Sequence, residues 1–388
     1  MTQFTRRSWI AGGGALAGSL LLRKPLRGAG APAAPVAVAS CRSYGPELVS
    51  SLDRMFDQLG GLGRIVSGKT VAMKVNLTGL ADARLGRLPC GLTHWTHPSV
   101  IGTVIHLMGR AGARRIRILE SPWRSSEPID EFLLAAGWEP RDFLNAARAV
   151  EFENTNYLGA GKRYVRFTTP HGGHVFRAFD LNHSYQDCDV FVSIAKLKEH
   201  LTTGVTLSMK NCFGITPCTI YGDGAGVDEP GLVPLGGRLP LHTGQRQPSK
   251  SAPPENDPSS PRDGGYRVPR IVADLVAARP IDLAIIDGIR TQTKGETPGV
   301  EGAIPVAPGV LIAGTNCVST DAVATAVMGF DPMADRGRAP FENCDSTLRL
   351  AEELGVGTRD LSRIEVIGAP IAQVRFDFRE PPHAKDAA

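Results

Sequence analysis

The stretch that most constrains this chain is Asp189–Gly214, DVFVSIAKLKEHLTTGVTLSMKNCFG. It opens as a near-continuous apolar run: Val190, Phe191, Val192, Ile194 and Ala195. A strand without a polar face has to be covered on both sides, the condition of a parallel sheet flanked by helices. The run then delivers Lys196, Lys198 and His200, followed by a turn rich in Thr and Ser, by Lys210-Asn211 and by Gly214. In open α/β sheets, ligands bind beyond the carboxyl ends of the strands. Cations and hydroxyls gathered there suit an anion, by charge and by hydrogen bonding. In extended geometry Lys196, Lys198 and His200 share one face. Neighbouring cations depress a lysine's pKa, which makes the group either an anion clamp or a proton donor. The plainer alternative is a solvated loop carrying ordinary surface lysines.

The same grammar recurs along the chain. Val36–Ala39 reads as a first strand, and Leu48, Val49, Leu52, Met55, Phe56 and Leu59 recur at helical spacing. Thr70–Val75 reads as a strand with Lys74 and Asn76 at its carboxyl end. Pro98 suits the first turn of a helix over 99–109, with Thr96 or His97 at or before the cap. The strand Ile116–Leu119 follows and ends in Glu120-Ser121. This strand–helix–strand unit implies a right-handed crossover and a parallel pair. A helix is predicted over 129–137. Further on, a helix over 268–278 precedes the strand Ile281–Ile286, which ends in Asp287. Val310–Ala313 is the next strand, and Ser319-Thr320-Asp321 is expected to cap a helix running to Met328. A last helix, Leu348–Leu354, and a last strand, Ile364–Ile367, complete the pattern. The fold class is therefore α/β, a mostly parallel sheet with flanking helices.

Two segments break the pattern. From 151 to 181, short alternating runs around Phe152, Tyr164–Phe167 and Val175–Phe179, with Gly172-Gly173 between the last two, predict an antiparallel insertion. From 216 to 266 prolines interrupt any periodicity. A long aperiodic run in a compact domain is either a functional lid or a disordered insert. Its first part, Tyr221–Gly226, is placed to fold over the site. Its second, Gln245–Pro261, is polar enough for disorder.

The first 33 residues read as a leader. Arg6-Arg7 precede a Gly/Ala-rich apolar run, Ile10–Leu22, which is too short to span a bilayer. Arg23, Lys24, Arg27 and small residues follow, with Ala31-Pro32-Ala33 before an expected cut at Ala34. The order resembles a twin-arginine (Tat) signal peptide, which implies engagement of the Tat translocase and an exported, periplasmic location. An uncleaved anchor is the alternative. The leader holds five of the 43 basic residues and no acid, so residues 34–388 carry 38 basic against 39 acidic groups. A near-neutral domain has no global attraction for nucleic acid. The seven cysteines contain no CxxC, and packing as buried thiols is the default.

The motifs Lys74-Val75-Asn76, Thr96-His97-Pro98, Glu120-Ser121, DVFVSIAKLKEH, TLSMKNCFG, IIDGI and AGTNCVSTDAVAT occur in one order over roughly residues 70–330. Together they resemble the prokaryotic family catalogued as domain of unknown function 362. That resemblance implies a soluble α/β domain, often found beside ferredoxin-type iron–sulfur modules, and hence an iron–sulfur protein as a partner. This chain departs in lacking any four-cysteine cluster run. The layout is also similar to the lactate racemase family, where lysine and histidine residues hold a cofactor and move a proton.

The resulting expectation is an exported protein that binds a small anionic organic ligand or cofactor. Lys74, Asn76, Glu120, Ser121, Lys198, Lys210, Asn211 and Asp287 would line the ligand, with Lys196, His200 and His97 as the proton-transfer candidates. Glu120 and Asp287 are carboxylates available to a divalent ion. Asp321 reads as a helix-start carboxylate satisfying amides. The alternative function is a non-catalytic cofactor-binding protein or a redox partner of iron–sulfur proteins. The residues name neither metal, cofactor nor reaction.

Overall fold

The computed structural model describes residues 30–123, 126–156, 163–234 and 236–381. The expected leader over 1–33 falls almost wholly outside the described residues. Ala31 and Pro32 belong to the folded unit Ala31–Ala388. The Ala31 carbonyl accepts from Arg363 Nη2 (2.7 Å), and the Pro32 carbonyl from the Thr358 amide (2.9 Å). No described helix is long and apolar enough to cross a membrane.

In chain order the first half holds strand β1 (Val36–Ser40), helices α1 (Glu47–Gln58) and α2 (Leu62–Val66), β2 (Thr70–Lys74), α3 (Pro98–Arg110) and β3 (Arg115–Glu120). Next come α4 (Ile129–Ala135), α5 (Pro140–Leu144), β4 (Val150–Asn154), the hairpin strands β5 (Tyr164–Thr168) and β6 (Ala178–Asn182), and β7 (Val190–Lys196). The site-bearing stretch continues as β8 (Glu199–His200), β9 (Gly204–Val205) and α6 (Leu207–Asn211). Then follow α7 (Cys218–Tyr221), α8 (Leu239–His242), α9 (Gly264–Ala278), β10 (Leu283–Gly288), β11 (Thr291–Gln292), β12 (Pro305–Val306) and β13 (Val310–Gly314). The chain closes on α10 (Cys317–Val327), α11 (Thr347–Glu353), β14 (Val366–Gly368) and α12 (Ile371–Val374).

Eight strands form one sheet in the order β14-β1-β13-β10-β7-β2-β3-β4. It is parallel except at β13, which runs antiparallel to both β1 and β10. β7 lies near the middle, and all seven of its residues are buried. Its side chains divide by the period of two: Val190, Val192 and Ile194 join the core with α1 and α3, while Phe191 and Ala195 join the core with α9 and α10. The unbroken apolar run thus serves two helical layers at once.

Three expectations change. The strand around Phe152 is not part of an antiparallel insertion, because β4 joins the main sheet parallel to β3; only β5 and β6 form the hairpin. The segment 216–266 is not structureless. It contains α7 and α8, and Gln245–Pro261 is held by Glu255, whose carboxylate is buried against Arg267 (2.6 Å) and Arg262 (2.7 Å). Arg267 also donates to the Pro240 and Leu241 carbonyls, so one guanidinium ties both parts of the segment to α9. Periodicity cannot reveal an element fixed by a long-range ion pair. Finally, α10 begins at Cys317 behind an Asn316 cap, which puts Asp321 inside the helix rather than at its start. All seven cysteines are free, six of them buried and Cys188 half-buried.

Breaking the Glu255–Arg267 pair strands a cation with no access to water. Glu255→Ala should cost about 3–5 kcal/mol and open the segment to trypsin at Lys250. Equal proteolysis of variant and wild type would show that the pair does not hold the segment.

Candidate functional site

The site starts from two adjacent parallel strands. Lys74 ends β2 and Glu120 ends β3, in a register that sets Lys74 beside Leu119. Their side chains meet as an ion pair at 2.7 Å, both almost fully buried. Lys74 Nζ also donates to the Val75 carbonyl (2.7 Å) and to Asn211 Oδ1 (3.0 Å). Glu120 accepts from the Leu77 amide (3.0 Å) and the Ser121 amide (2.9 Å). A Cβ at position 214 would lie 3.1 Å from Lys74 Nζ and 3.2 Å from Glu120 Oε1, so Gly214 lets the chain pass over the pair. Asn211 completes the clasp. It accepts from Asn76 Nδ2 (3.0 Å) and donates to the Lys74 carbonyl and Ser193 Oγ, which fastens α6 to β2 and β7.

Above this floor lies a cavity of about 660 Å³. Lys198 enters it just beyond the end of β7, His200 from β8 and Lys210 from α6. Arg238, Leu239 and His242 enter from the segment 216–266, as does Asp223 in its expected closing part. Glu296 enters from the loop between β11 and β12, and Leu80 from the loop after β2. Thus Lys74, Asn76, Glu120, Ser121, Lys198, His200, Lys210 and Asn211 are brought together around one space.

Their commitments differ, and the differences sort their chemistry. Lys198 Nζ donates to the His94 and Glu296 carbonyls (2.7 and 2.9 Å), and burial pushes its pKa well below the ordinary lysine value. Arg238 is held by the Thr216 and Ser121 carbonyls. The Lys210 ammonium has neither hydrogen bond nor ion pair among the described residues; it sits 4.4 Å from the Phe213 ring centroid. Burial, with lesser repulsion from Arg238 and Lys74, brings its pKa down to about 7, while Glu296 opposes the fall. Burial works to raise the Glu296 carboxyl, but His200, the Leu201 amide and Lys210 outweigh it and hold the group at about 2. Asn76 Oδ1 and Thr206 Oγ1 are buried acceptors at the lining without partners.

The two histidines are fixed in opposite tautomers. The Thr202 amide donates to His200 Nδ1 (3.1 Å), so the neutral ring carries its proton on Nε2. His242 Nδ1 faces the Arg238 carbonyl (2.8 Å) and must donate, so its Nε2 keeps a lone pair. Burial drives both below the ordinary histidine pKa, His242 to about 4. At neutral pH the lining therefore holds one imidazole that presents an N–H donor and one that presents a lone pair able to take a proton.

Three expected residues lie elsewhere. Lys196 and Asp287, both fully buried, form a separate cluster with the half-buried His97 and Tyr44, and none of the four lines the cavity. The parallel register places Asp287 opposite Lys196, and the pair closes at 2.8 Å. Asp287 also accepts from the His97 amide (2.9 Å) and Tyr44 Oη (3.0 Å). The His97 ring stacks on Tyr44 at 3.5 Å, and its Nδ1 accepts from the Ser99 amide as the cap of α3. The shared face expected for Lys196, Lys198 and His200 fails because β7 ends at Lys196, and the strand periodicity ends with it. Glu120 and Asp287, separated in this way, are both spent on lysines. Among the described residues no group of three or more His, Cys, Asp or Glu is arranged to hold a metal ion. Asp321 does satisfy amides, but those of another helix: it accepts from the Ser208 and Met209 amides (both 2.9 Å) at the start of α6.

Arg238, His242 and Glu296 were not anticipated as site residues. They sit in segments without periodicity, and the only signal available was an Arg and a His four apart in a proline-rich run.

Lys196→Ala should cost about 3–5 kcal/mol, because Asp287 is left charged and buried. Lys210→Met should be neutral or stabilising, because it removes a buried cation that closes no ion pair or hydrogen bond and has Glu296 only at longer range. Urea midpoints of the two variants test this contrast, and equal losses would contradict it.

A family model described as domain of unknown function, DUF362, matches residues 71–326. The thylakoid-associated protein sll1697 of Synechocystis sp. is 30% identical over 172 residues, 44% of this chain and 46% of that protein. A Thermotoga maritima protein of known structure superposes with a TM-score of 0.36 at 13% identity, over 69% of this chain and 54% of that one. The lactate racemase apoprotein of Thermoanaerobacterium thermosaccharolyticum gives 0.35 at 11% identity, over 70% and 54%. This chain spans about half the length of each. Superpositions this loose support no argument about chemistry. The family match runs from β2 into α10 and takes in every cavity residue described above; the chain belongs to the DUF362 family.

Proposed function

We propose that the chain binds a small organic anion in the cavity and moves a proton at the bound molecule. The observation that carries this reading is Lys210: an ammonium on the cavity lining, without a carboxylate or carbonyl of its own. Arg238 and Lys74 add positive potential beside it while spending their donors on the protein. A ligand carboxylate or phosphate would supply Lys210 with the partner it lacks. His242 Nε2 is the base that takes the proton and returns it, and the His200 Nε2–H donates a hydrogen bond to the charge that develops on the ligand, each ring oriented by a backbone group. Asn76 Oδ1 and Thr206 Oγ1 would accept hydrogen bonds from a hydroxyl or amine on the same ligand.

The charge state of Lys210 sets the pH dependence. Its ammonium form is complete below about 7 and is lost as pH rises through that value. Affinity for a carboxylate should therefore be highest at pH 6 and weaken roughly tenfold per unit above the pKa. Calorimetric titration of simple hydroxy and keto acids at pH 6 and pH 8.5, with Lys210→Met as control, tests binding. Proton transfer is read by NMR as deuterium entering the bound acid in D2O; it should stop in His242→Phe while binding persists. Binding without exchange in the wild type would favour the non-catalytic reading, and affinity unchanged between the two pH values would remove Lys210 from the role.

An exported, periplasmic site of action through the Tat translocase, with an iron–sulfur protein as neighbour, forms part of the same proposal. It rests on the Arg6-Arg7 leader and on the family resemblance. Replacing both arginines by lysine should retain the protein in the cytoplasmic fraction; an unchanged distribution would count against export by this route.

A further inference from the structure

The cavity has a second pole. Three leucines that line it are also among the exposed large apolar side chains: Leu80, Leu201 and Leu239, at 49%, 57% and 46%. They come from three separate segments: the loop after β2, the turn after β8 and the start of α8. Trp123, Phe213 and Pro298 extend the apolar lining. Isolated exposed leucines are ordinary, but three converging on one opening are not. The size of the space points the same way. About 660 Å³ is the range of pockets that enclose ligands of drug size. A two- to four-carbon acid seated against Lys210 would leave most of it to water, against leucines that gain nothing from water.

We infer that the ligand is an amphiphilic anion, a carboxylate or phosphate carrying an apolar chain or ring that lies against Leu80, Leu201 and Leu239. This deepens the proposed function and rests on its anion site. The headgroup meets Lys210, the ammonium without an anionic partner. The apolar portion covers the leucines, which no other described part of the chain covers. Arg238 and Leu239 are consecutive residues at the start of α8, so the segment 216–266 brings one group to each pole. Burial of each added methylene is worth about 0.8 kcal/mol, or roughly a fourfold gain in affinity.

The test is a chain-length series at pH 6: acetate, butanoate, hexanoate and octanoate, with octanol as the uncharged control. Wild type is compared with Lys210→Met and with the double variant Leu80→Ser/Leu239→Ser, whose changes fall at exposed positions. The expected result is affinity rising about 15-fold at each two-methylene step of the series while the added carbons remain against the leucines. That rise should flatten in the double variant, and octanoate binding should be largely lost in Lys210→Met. Binding that is equal at all lengths overturns the amphiphile inference and leaves the anion site standing. Failure of every acid to bind overturns the anion site itself. Octanol binding as tightly as octanoate, or a slope unchanged in the double variant, overturns the pairing of charge with apolar contact.

Discussion

The buried ion pair between Lys74 and Glu120 is the constraint on which the site depends. Neither charge can stay in a low-dielectric interior unless the other is present and the remaining donors and acceptors are satisfied. That requirement fixes β2 against β3 in one register, draws the Leu77 and Ser121 amides onto the carboxylate, and crowds any side chain added at Gly214. Asn211 extends the constraint to α6, because its amide bonds to β2 and β7 at once. Asp321 holds the other end of the same short helix from α10. Lys210, one residue before Asn211, is carried to the cavity by a helix pinned at both ends.

This arrangement divides labour among residues that look alike in the chain. Lys74, Lys196 and Lys198 all leave strand ends near the centre of the sheet, yet each is spent on the protein: one on Glu120, one on Asp287 and one on two carbonyls. Burial, with smaller repulsion from Arg238 and Lys74, lowers the pKa of the lysine that remains free. Lys210 is free because no carboxylate among the described residues closes an ion pair with it, and burial, opposed by Glu296 at longer range, then places its titration near neutrality. A cation poised in this way binds an anion strongly when protonated and releases it when not.

The segment between α7 and α9 shows how an irregular stretch acquires function. It contains little secondary structure, but Arg267 reaches out of α9 to hold Glu255 and the carbonyls at Pro240 and Leu241. With its backbone fixed at those points, the segment can present Arg238, Leu239 and His242 to the cavity in fixed positions. The His242 tautomer follows from the Arg238 carbonyl four residues earlier, one turn of α8. Precise placement here comes from buried charge, where elsewhere in the fold it comes from strand register.

Much of this was legible in the residues. The apolar run of β7 dictated a strand buried on both faces, and the alternation of strands and helices dictated a mostly parallel sheet. Lys198, His200, Lys210 and Asn211 were found because they follow that strand directly, and Lys74, Asn76 and Glu120 because strand ends in such sheets converge. Pattern could not tell which cations keep their charge for a ligand. Lys196 and Lys198 are two residues apart and look equivalent, but register sets Asp287 beside the first and only carbonyls beside the second. Nor could pattern find Arg238, His242 and Glu296, whose positions depend on ion pairs across long stretches of chain. Local sequence determined the elements, because side-chain periodicity is a property of neighbours; tertiary structure alone decided the site, because neutralising a buried charge depends on what lies next to it in space.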